Sequence, residues 1–291
     1  MLAIYKRELK SFFSTPQAYV FLALFVCITG IFFTIIDLAY GYNDFVNYVL
    51  SNSFYLIFTY AIVLPILTMR LFAEEKKSRT DQLLLTAPVR VWEIVLGKYL
   101  ASLTVYMVGL VIITIFPIII GFYGDLPISN TIGGYAGMIL FAMAMLAFGT
   151  MISSMTAEPI IAMIISAFWG LFVLFFNNLI VFIPDGIVVT FIFFAIIAAL
   201  IAFMFWYDTG KVWISIVAFL VCAGIIVAIY FLNKDWFAYG VTNSLNWLSL
   251  EKRYEELING IFNLSSIVYM MSVTAICLLI SSQVIERRRW K

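Results

Sequence analysis

The chain has 291 residues, of which 64% are hydrophobic and only 11% are charged, and its net charge is +1. Soluble domains carry roughly 25% charged residues, so this composition excludes a water-soluble fold, which could not hide so much apolar surface. The chain has no histidine, and its three cysteines each lie in an apolar run, so no catalytic base, metal site or disulfide is predicted.

The first predicted element is an amphipathic helix over residues 1–16. Its apolar side is formed by Leu2, Tyr5, Leu9 and Phe12, and its basic residues, Lys6, Arg7 and Lys10, lie off that face. This pattern predicts a helix in the inner membrane interface, held by apolar contact and anionic lipid. The apolar run that follows is longer than the core of a signal peptide and lacks a small-residue cleavage site, so we interpret it as a first span.

Eight segments are long and apolar enough to predict spanning helices, which need about 20 residues. They cover residues 17–38, 53–71, 97–122, 134–155, 160–182, 187–207, 212–232 and 263–285. The predicted fold is therefore an all-α polytopic membrane protein that forms one transmembrane domain over residues 1–291.

The basic residues predict the orientation of these spans. If the N-terminus is cytoplasmic, all of the 17 Lys and Arg residues except Lys234, Lys252 and Arg253 fall in cytoplasmic segments. Cytoplasmic loops of membrane proteins carry such an excess. Both termini are therefore predicted to be cytoplasmic, with an even number of spans, although charge alone does not choose between six and eight.

Two features of the spans bear on function. Gly133 and Gly137 form a G-x-x-x-G in the fourth span, which favours close helix packing, with a partner helix either in this chain or in a second copy. Charged residues are confined to span ends, where Asp37, Arg70 and Lys98 are expected to reach the interface. This absence from the middle of the spans lowers the chance of proton coupling.

The one sizeable internal loop, residues 72–96, reads FAEEKKSRTDQLLLTAPVRVWEIVL. It combines a charged stem, a short apolar helix around Leu83–Leu85 that Pro88 ends, and an elbow into the third span. An exposed apolar helix needs a surface that buries it. The residues leave open whether that surface is the lipid interface or a groove on a soluble partner.

The run Phe72–Pro88, followed by Trp92–Lys98, resembles the corresponding loop of ABC-2 type transporter permeases. The matching residues are Glu75, Thr80, Leu83, Leu84 and Pro88. The resemblance implies that this loop carries the coupling helix, which docks on a separate ATPase subunit. That family often has Gly at the position of Arg79. Its N-terminal helix also borders the ATPase, so for residues 1–16 lipid anchoring and ATPase contact both stay open.

Several C-terminal segments resemble the gliding-motility permeases of that family, GldF and its relatives. These segments are Leu248–Arg253, Gly260–Ile261, Val268–Tyr269 and Arg288–Trp290. The family core has six spans, so residues 187–232 are read as an inserted hairpin. In the outer loop, 233–262, a helical stripe of Tyr254, Leu257, Ile258 and Ile261 lies opposite Glu251, Arg253, Glu255 and Glu256. The family implies a re-entrant helix that caps the exit, and a plain surface helix is the alternative.

Together these resemblances imply the permease subunit of an ATP-binding-cassette exporter in the bacterial inner membrane. The chain lacks a P-loop, because Phe205 and Val212 stand where Gly210–Lys211 would need a Gly and a Ser or Thr. It is therefore not an enzyme itself and binds no cofactor, and ATP and Mg belong to the partner ATPase. A second permease subunit, identical or related, is expected, and nucleic acid is not. A membrane scaffold or a secondary transporter remains the alternative.

Overall fold

The computed structural model describes residues 1–42, 44–80, 89–123, 127–184, 186–210, 212–232, 237 and 239–289. Every regular element within these ranges is a helix and none is a strand, which confirms the all-α prediction. The chain divides into two units. The first comprises Met1–Leu174 with Leu250–Lys291, and the second is Phe175–Ser249.

The helices of the described ranges are numbered in chain order. They are α1 (Leu2–Ser14), α2 (Pro16–Leu38), α3 (Val46–Leu50), α4 (Ser53–Thr68), α5 (Ala73–Lys77), α6 (Val91–Ile113), α7 (Ile115–Tyr123), α8 (Ile128–Met155), α9 (Pro159–Val181), α10 (Ile187–Thr209), α11 (Val212–Leu232), α12 (Gly240–Leu248), α13 (Leu250–Ile258) and α14 (Leu264–Arg289).

Six helical segments are long and apolar enough to cross a membrane, in a search restricted to the described ranges. They are Pro16–Leu38, Val91–Phe122, Ile128–Met155, Pro159–Val181, Ile187–Met204 and Leu264–Arg288. The protein is therefore a multi-pass membrane protein. The segment predicted as the second span, 53–71, is the shorter apolar helix α4, and the predicted seventh span is helix α11.

Prolines interrupt the regular hydrogen bonding of two apolar helices. Pro117 cannot donate a hydrogen bond to the carbonyl of residue 113, and the helix is interrupted there, between α6 and α7. Pro65 lies in α4 directly after a π-helical stretch, Ile57–Val63. A π-helix is wider than an α-helix, so the preceding carbonyls can avoid the proline ring.

The first unit is built around α8, the most buried of the six segments. Buried residues make up 67% of its apolar window, against 39% or less in the others. A Cβ atom at Gly133 would lie 2.5 Å from the carbonyl oxygen of Leu257, and one at Gly137 would lie 3.3 Å from the Cβ of that residue. The helix that fills the G-x-x-x-G is therefore α13 of the same chain, which decides between the two partners left open by the sequence.

The second unit contains the predicted hairpin as two helices, α10 and α11, that pack on each other. Helix α12 packs on α10, where a Cβ atom at Gly240 would lie 3.0 Å from the Thr190 side chain. The ring of Phe237 lies 4.7 Å from that of Phe191, measured between centroids, and 5.6 Å from that of Tyr230. An aromatic cluster therefore closes one end of this unit.

Candidate coupling site

The residues predicted to couple the spans to an ATPase fall into two groups. Glu75 and Thr80 are described by the structure, whereas Leu83, Leu84 and Pro88 lie outside the described residues, in 81–88. The short apolar helix around Leu83 therefore stays a prediction. The part of the site that the structure describes is the charged stem, Phe72–Thr80, which directly precedes those residues in the chain.

The stem helix α5 ends in a Schellman motif, in which two backbone N–H groups reach back to carbonyls of the last turn. The N–H of Thr80 donates to the carbonyl of Glu75 at 2.9 Å, and the N–H of Arg79 donates to that of Lys76 at 3.2 Å. Arg79 has a φ of 57°, the left-handed conformation that glycine adopts most easily. Arg79 therefore adopts the backbone conformation typical of glycine. It stands at the position where the resembled family often has glycine.

A buried lysine links the stem to two other helices. Lys98, in the first turns of α6, is only 1% exposed. Its Nζ lies 2.9 Å from Oε1 of Glu75 and 3.2 Å from Oε1 of Glu8, and it donates to the carbonyl of Leu71 at 2.7 Å. Arg7 Nη2 donates to the same two carboxylates, at 3.1 Å and 3.0 Å. We call Arg7, Glu8, Glu75 and Lys98 the charge network.

The charge network satisfies a group that would otherwise be costly to bury. An ammonium group has three donors and no acceptor, and Lys98 donates one hydrogen bond to the Leu71 carbonyl and lies within ion-pair distance of two carboxylates. The attraction between two buried charges offsets the cost of removing them from water only where the geometry is good and further hydrogen bonds are made. The expectation that Lys98 reaches the interface is therefore wrong, because Glu8 of α1 and Glu75 of α5 meet it inside the protein.

The stem is also bonded to the C-terminal end of α8. The Oγ of Ser153 accepts from the backbone N–H of Phe72 at 3.1 Å and of Ala73 at 3.2 Å, and it donates to the carbonyl of Met69 at 3.2 Å. Lys76 donates to the carbonyls of Ser154 and Thr156. A cation is favourable at a helix C-terminus, where the free carbonyls carry partial negative charge.

The predicted N-terminal helix is present as α1, and it packs on α6. Tyr5 and Thr104 share a hydrogen bond between their hydroxyls at 3.0 Å. A Cβ atom at Gly97 would lie 3.2 Å from Ile4, so the glycine permits the close approach of the two helices. Leu9 is partly buried against the core, and Leu2 and Lys6 are exposed. Part of the apolar face of α1 therefore packs against the protein, and the part that contains Leu2 is exposed.

The predicted outer helix is present as α13, which packs on the N-terminal half of α8. Tyr254, Leu257 and Ile258 are fully buried, and the Tyr254 hydroxyl donates to the carbonyl of Leu50 at 3.0 Å. Ile261 does not belong to this stripe. The helix ends at Ile258, Gly260 adopts a φ of 73°, and Ile261 follows as an exposed residue.

The face of α13 that was predicted to be polar is not fully exposed. Glu251 and Arg253 are buried, because α14 packs against this side of α13. Nη1 of Arg253 donates to the hydroxyls of Ser265 and Ser266, at 3.0 Å and 3.3 Å. Helix α13 therefore has partners on two sides.

Three residues of the site were not predicted, namely Glu8, Lys98 and Ser153. For the first two the sequence contains a weak signal, since neither Glu8 nor Lys98 has an oppositely charged residue three or four positions away in its own helix. Ser153 carries no signal, because one hydroxyl at the end of an apolar helix resembles any other.

A chain with several apolar spans and these buried polar contacts at one end defines a multi-pass helical membrane protein. Residues 28–232, more than two thirds of the chain, match the family described as ABC-2 family transporter protein. The chain belongs to this family and is a transmembrane permease component of an ABC transporter. None of the curated proteins matches it.

Proposed function

We propose that this chain is the permease subunit of an exporter that a separate ATPase drives through the loop 72–96. The observation that carries the proposal is the charge network around the buried Lys98. It ties the stem of that loop to α1 through Glu8 and to α6 through Lys98. A force that moves the stem would therefore reach α1 and α6 through these ion pairs.

The proposed topology has eight spans, in which α4 and α11 cross the membrane beside the six longer segments, and both termini are cytoplasmic. The basic bias of the sequence supports it, since all of the 17 Lys and Arg residues except Lys234, Lys252 and Arg253 would lie on the cytoplasmic side. The inner membrane of a bacterium is the proposed location. We extend the resemblance to the gliding-motility branch of the family as part of the same proposal.

The proposed mechanism uses α8 as a lever. Ser153 at its C-terminal end is bonded to the stem, and Gly133 at its N-terminal end contacts α13. The helix has 28 residues and is thus about 42 Å long. Closure of two ATPase subunits on ATP and Mg would push the segment around Leu83–Leu85, move the stem, and displace α13 at the exit between two permease subunits, identical or related.

The test replaces Leu83 and Leu84 together with aspartate. We expect loss of the co-purified ATPase and of substrate-stimulated hydrolysis, because two carboxylates cannot be buried in an apolar groove. The matched control makes the same change at Ile261 and Phe262, two exposed residues in the proposed external loop. If both double variants retain the ATPase equally, the coupling assignment is wrong.

A further inference from the structure

Several buried polar side chains have no hydrogen-bond partner among the described residues, and the proposed mechanism uses none of them. One is Asp37, which is 2% exposed, so the expectation that it reaches the interface is wrong. Another is Ser166 of α9, which is 7% exposed and whose Oγ is buried. The Ser166 side chain lines a cavity within the first unit.

This cavity lies among α4, α8 and α9, and its volume is about 10 Å³. Its lining consists of buried side chains, namely Tyr60, Leu64, Pro65, Thr68, Met145 and Ser166. The volume is about the smallest that holds one water molecule. Apolar cavities stay dry, and water enters a cavity only where two to four polar groups can bond it. The polar groups of the lining therefore decide what binds there.

The hydroxyl of Ser166 does not make the bond that is common within a helix. Serine and threonine side chains inside helices can donate to a carbonyl of the preceding turn, as Thr150 does to Ala147 and Ser281 does to Cys277. No such bond is present at Ser166. A buried hydroxyl without a partner is costly, so a ligand that bonds it inside the cavity would stabilise the protein.

The second polar group is the backbone carbonyl of Tyr60, which is deprived of a donor by Pro65. In the π-helical part of α4, the N–H of Leu64 donates to the carbonyl of Thr59, five residues back. The next bond in this register would run from residue 65 to Tyr60, but proline has no N–H. The Tyr60 carbonyl therefore lacks the helical donor that this register would supply.

The carbonyl of Tyr60 faces α9 close to the cavity. A Cβ atom at Gly170 would lie 3.3 Å from its oxygen, and residues four apart share one face of a helix, so Ser166 lies on the same side of α9 as Gly170. Thr68 supplies a third polar group. Its Oγ1 donates to the Pro65 carbonyl at 3.3 Å and can still accept from another donor.

We propose that this cavity binds one water molecule, which bridges α4 and α9 beside Pro65. The water would donate to the Tyr60 carbonyl and to Thr68 Oγ1, and it would accept from Ser166 Oγ. Buried waters typically make about three hydrogen bonds, and ordered water is one of the groups that compensate for proline in membrane helices. A cation is a poorer match, because none of the lining residues is an acid that could pair with its charge. The inference does not rest on the proposed function.

The test is a double-mutant cycle between Thr68 and Ser166, which share no direct hydrogen bond. Thr68→Val removes an acceptor for the water, and Ser166→Ala removes a donor to it. Reversible unfolding of the full chain in mixed micelles measures the cycle. If one water joins the two side chains, the effect of Ser166→Ala on the unfolding equilibrium should be roughly fivefold smaller in Thr68→Val than in the unmodified chain, about 1 kcal/mol.

Two further backgrounds serve as controls. Thr274 of α14 is buried and donates to the Met270 carbonyl at 2.9 Å, but it does not line the cavity. The effect of Ser166→Ala should be unchanged in Thr274→Val, and also in Thr68→Ser, which keeps the hydroxyl. If Ser166→Ala does not fold, Ser166→Cys replaces it, because a thiol is only a weak donor.

A structure determined at a resolution that shows ordered water gives the direct observation. We expect one density peak within hydrogen-bond distance of Ser166 Oγ and of the Tyr60 carbonyl oxygen. A missing peak where other buried waters are seen would overturn the proposal, and so would independent effects in the cycle of Thr68 and Ser166. Stabilisation by Na⁺ over K⁺ at constant ionic strength that Ser166→Ala abolishes would identify a cation site and contradict it. The ATPase experiment with Leu83 and Leu84 is unaffected by any of these results.

Discussion

Replacing Lys98 with methionine removes the central cation of the charge network and nearly conserves side-chain volume. Truncating one partner of a buried ion pair costs about 3–5 kcal/mol, because the remaining charge stays buried without its partner. Here Arg7 still bonds both carboxylates, and the side chains of Glu8 and Glu75 are 12% and 20% exposed. We therefore expect the lower end, about 3 kcal/mol, or on the order of a hundredfold shift in the unfolding equilibrium.

The chain contains a matched control in the pair Lys77–Glu158. Its Nζ–Oε2 distance is 2.7 Å, but the two side chains are 59% and 47% exposed. Exposed ion pairs contribute about 0–1 kcal/mol, so Lys77→Met should be nearly neutral. The assay is reversible unfolding in mixed micelles, followed by tryptophan fluorescence and by helical circular dichroism.

A double-mutant cycle with Glu75→Gln isolates the direct pair from the other contacts of Lys98. Residues within one network show interaction energies of about 0.5–3 kcal/mol, and we expect a value in the upper half of that range. The reasoning is refuted if Lys98→Met and Lys77→Met destabilise the protein equally, or if the cycle gives no coupling between residues 75 and 98.

Two further predictions concern backbone geometry. Gly133→Ala should destabilise the protein by about 1–3 kcal/mol, because the added Cβ would lie 2.5 Å from the Leu257 carbonyl oxygen. Gly224→Ala, where a Cβ meets nothing within 4 Å, should be neutral or slightly stabilising, and thermal melts compare the two. Arg79→Gly should leave stability unchanged or raise it by up to about 1 kcal/mol, because the left-handed conformation is unfavourable for other residues. Gly260→Ala should lower stability, because Gly260 adopts a φ of 73° just after the end of α13. Equal effects of the Arg79 and Gly260 substitutions would contradict the backbone argument.

Helix positions could be predicted closely because apolar run length is a local property. The predicted spans 134–155 and 160–182 correspond to Ile128–Met155 and Pro159–Val181. The second predicted span, 53–71, extends three residues past the end of α4. After Thr68 the backbone bonds to the Ser153 hydroxyl instead of continuing its own helix, and no local pattern encodes that tertiary bond.

The role of the candidate coupling residues stays a prediction, but the structure shows how two of them are placed. Glu75 and Thr80 were chosen together by resemblance, and in the structure they meet through the backbone bond that ends α5. The resemblance did not identify Lys98 as the ion-pair partner of Glu75. A lysine at the start of an apolar span is compatible with an interfacial position, and only packing of α1 and α5 around it makes burial favourable.

The amino-acid sequence by itself determined that this protein lies in a membrane, that it is helical, and where most of its helices run. These properties follow from hydrophobic run length and composition, which need no knowledge of distant neighbours. The tertiary structure alone decided that α13 fills the Gly133–Gly137 groove, and that Lys98 binds Glu8 and Glu75 inside the protein. These contacts join residues far apart in the chain, and only the three-dimensional arrangement of the helices brings their side chains within bonding distance.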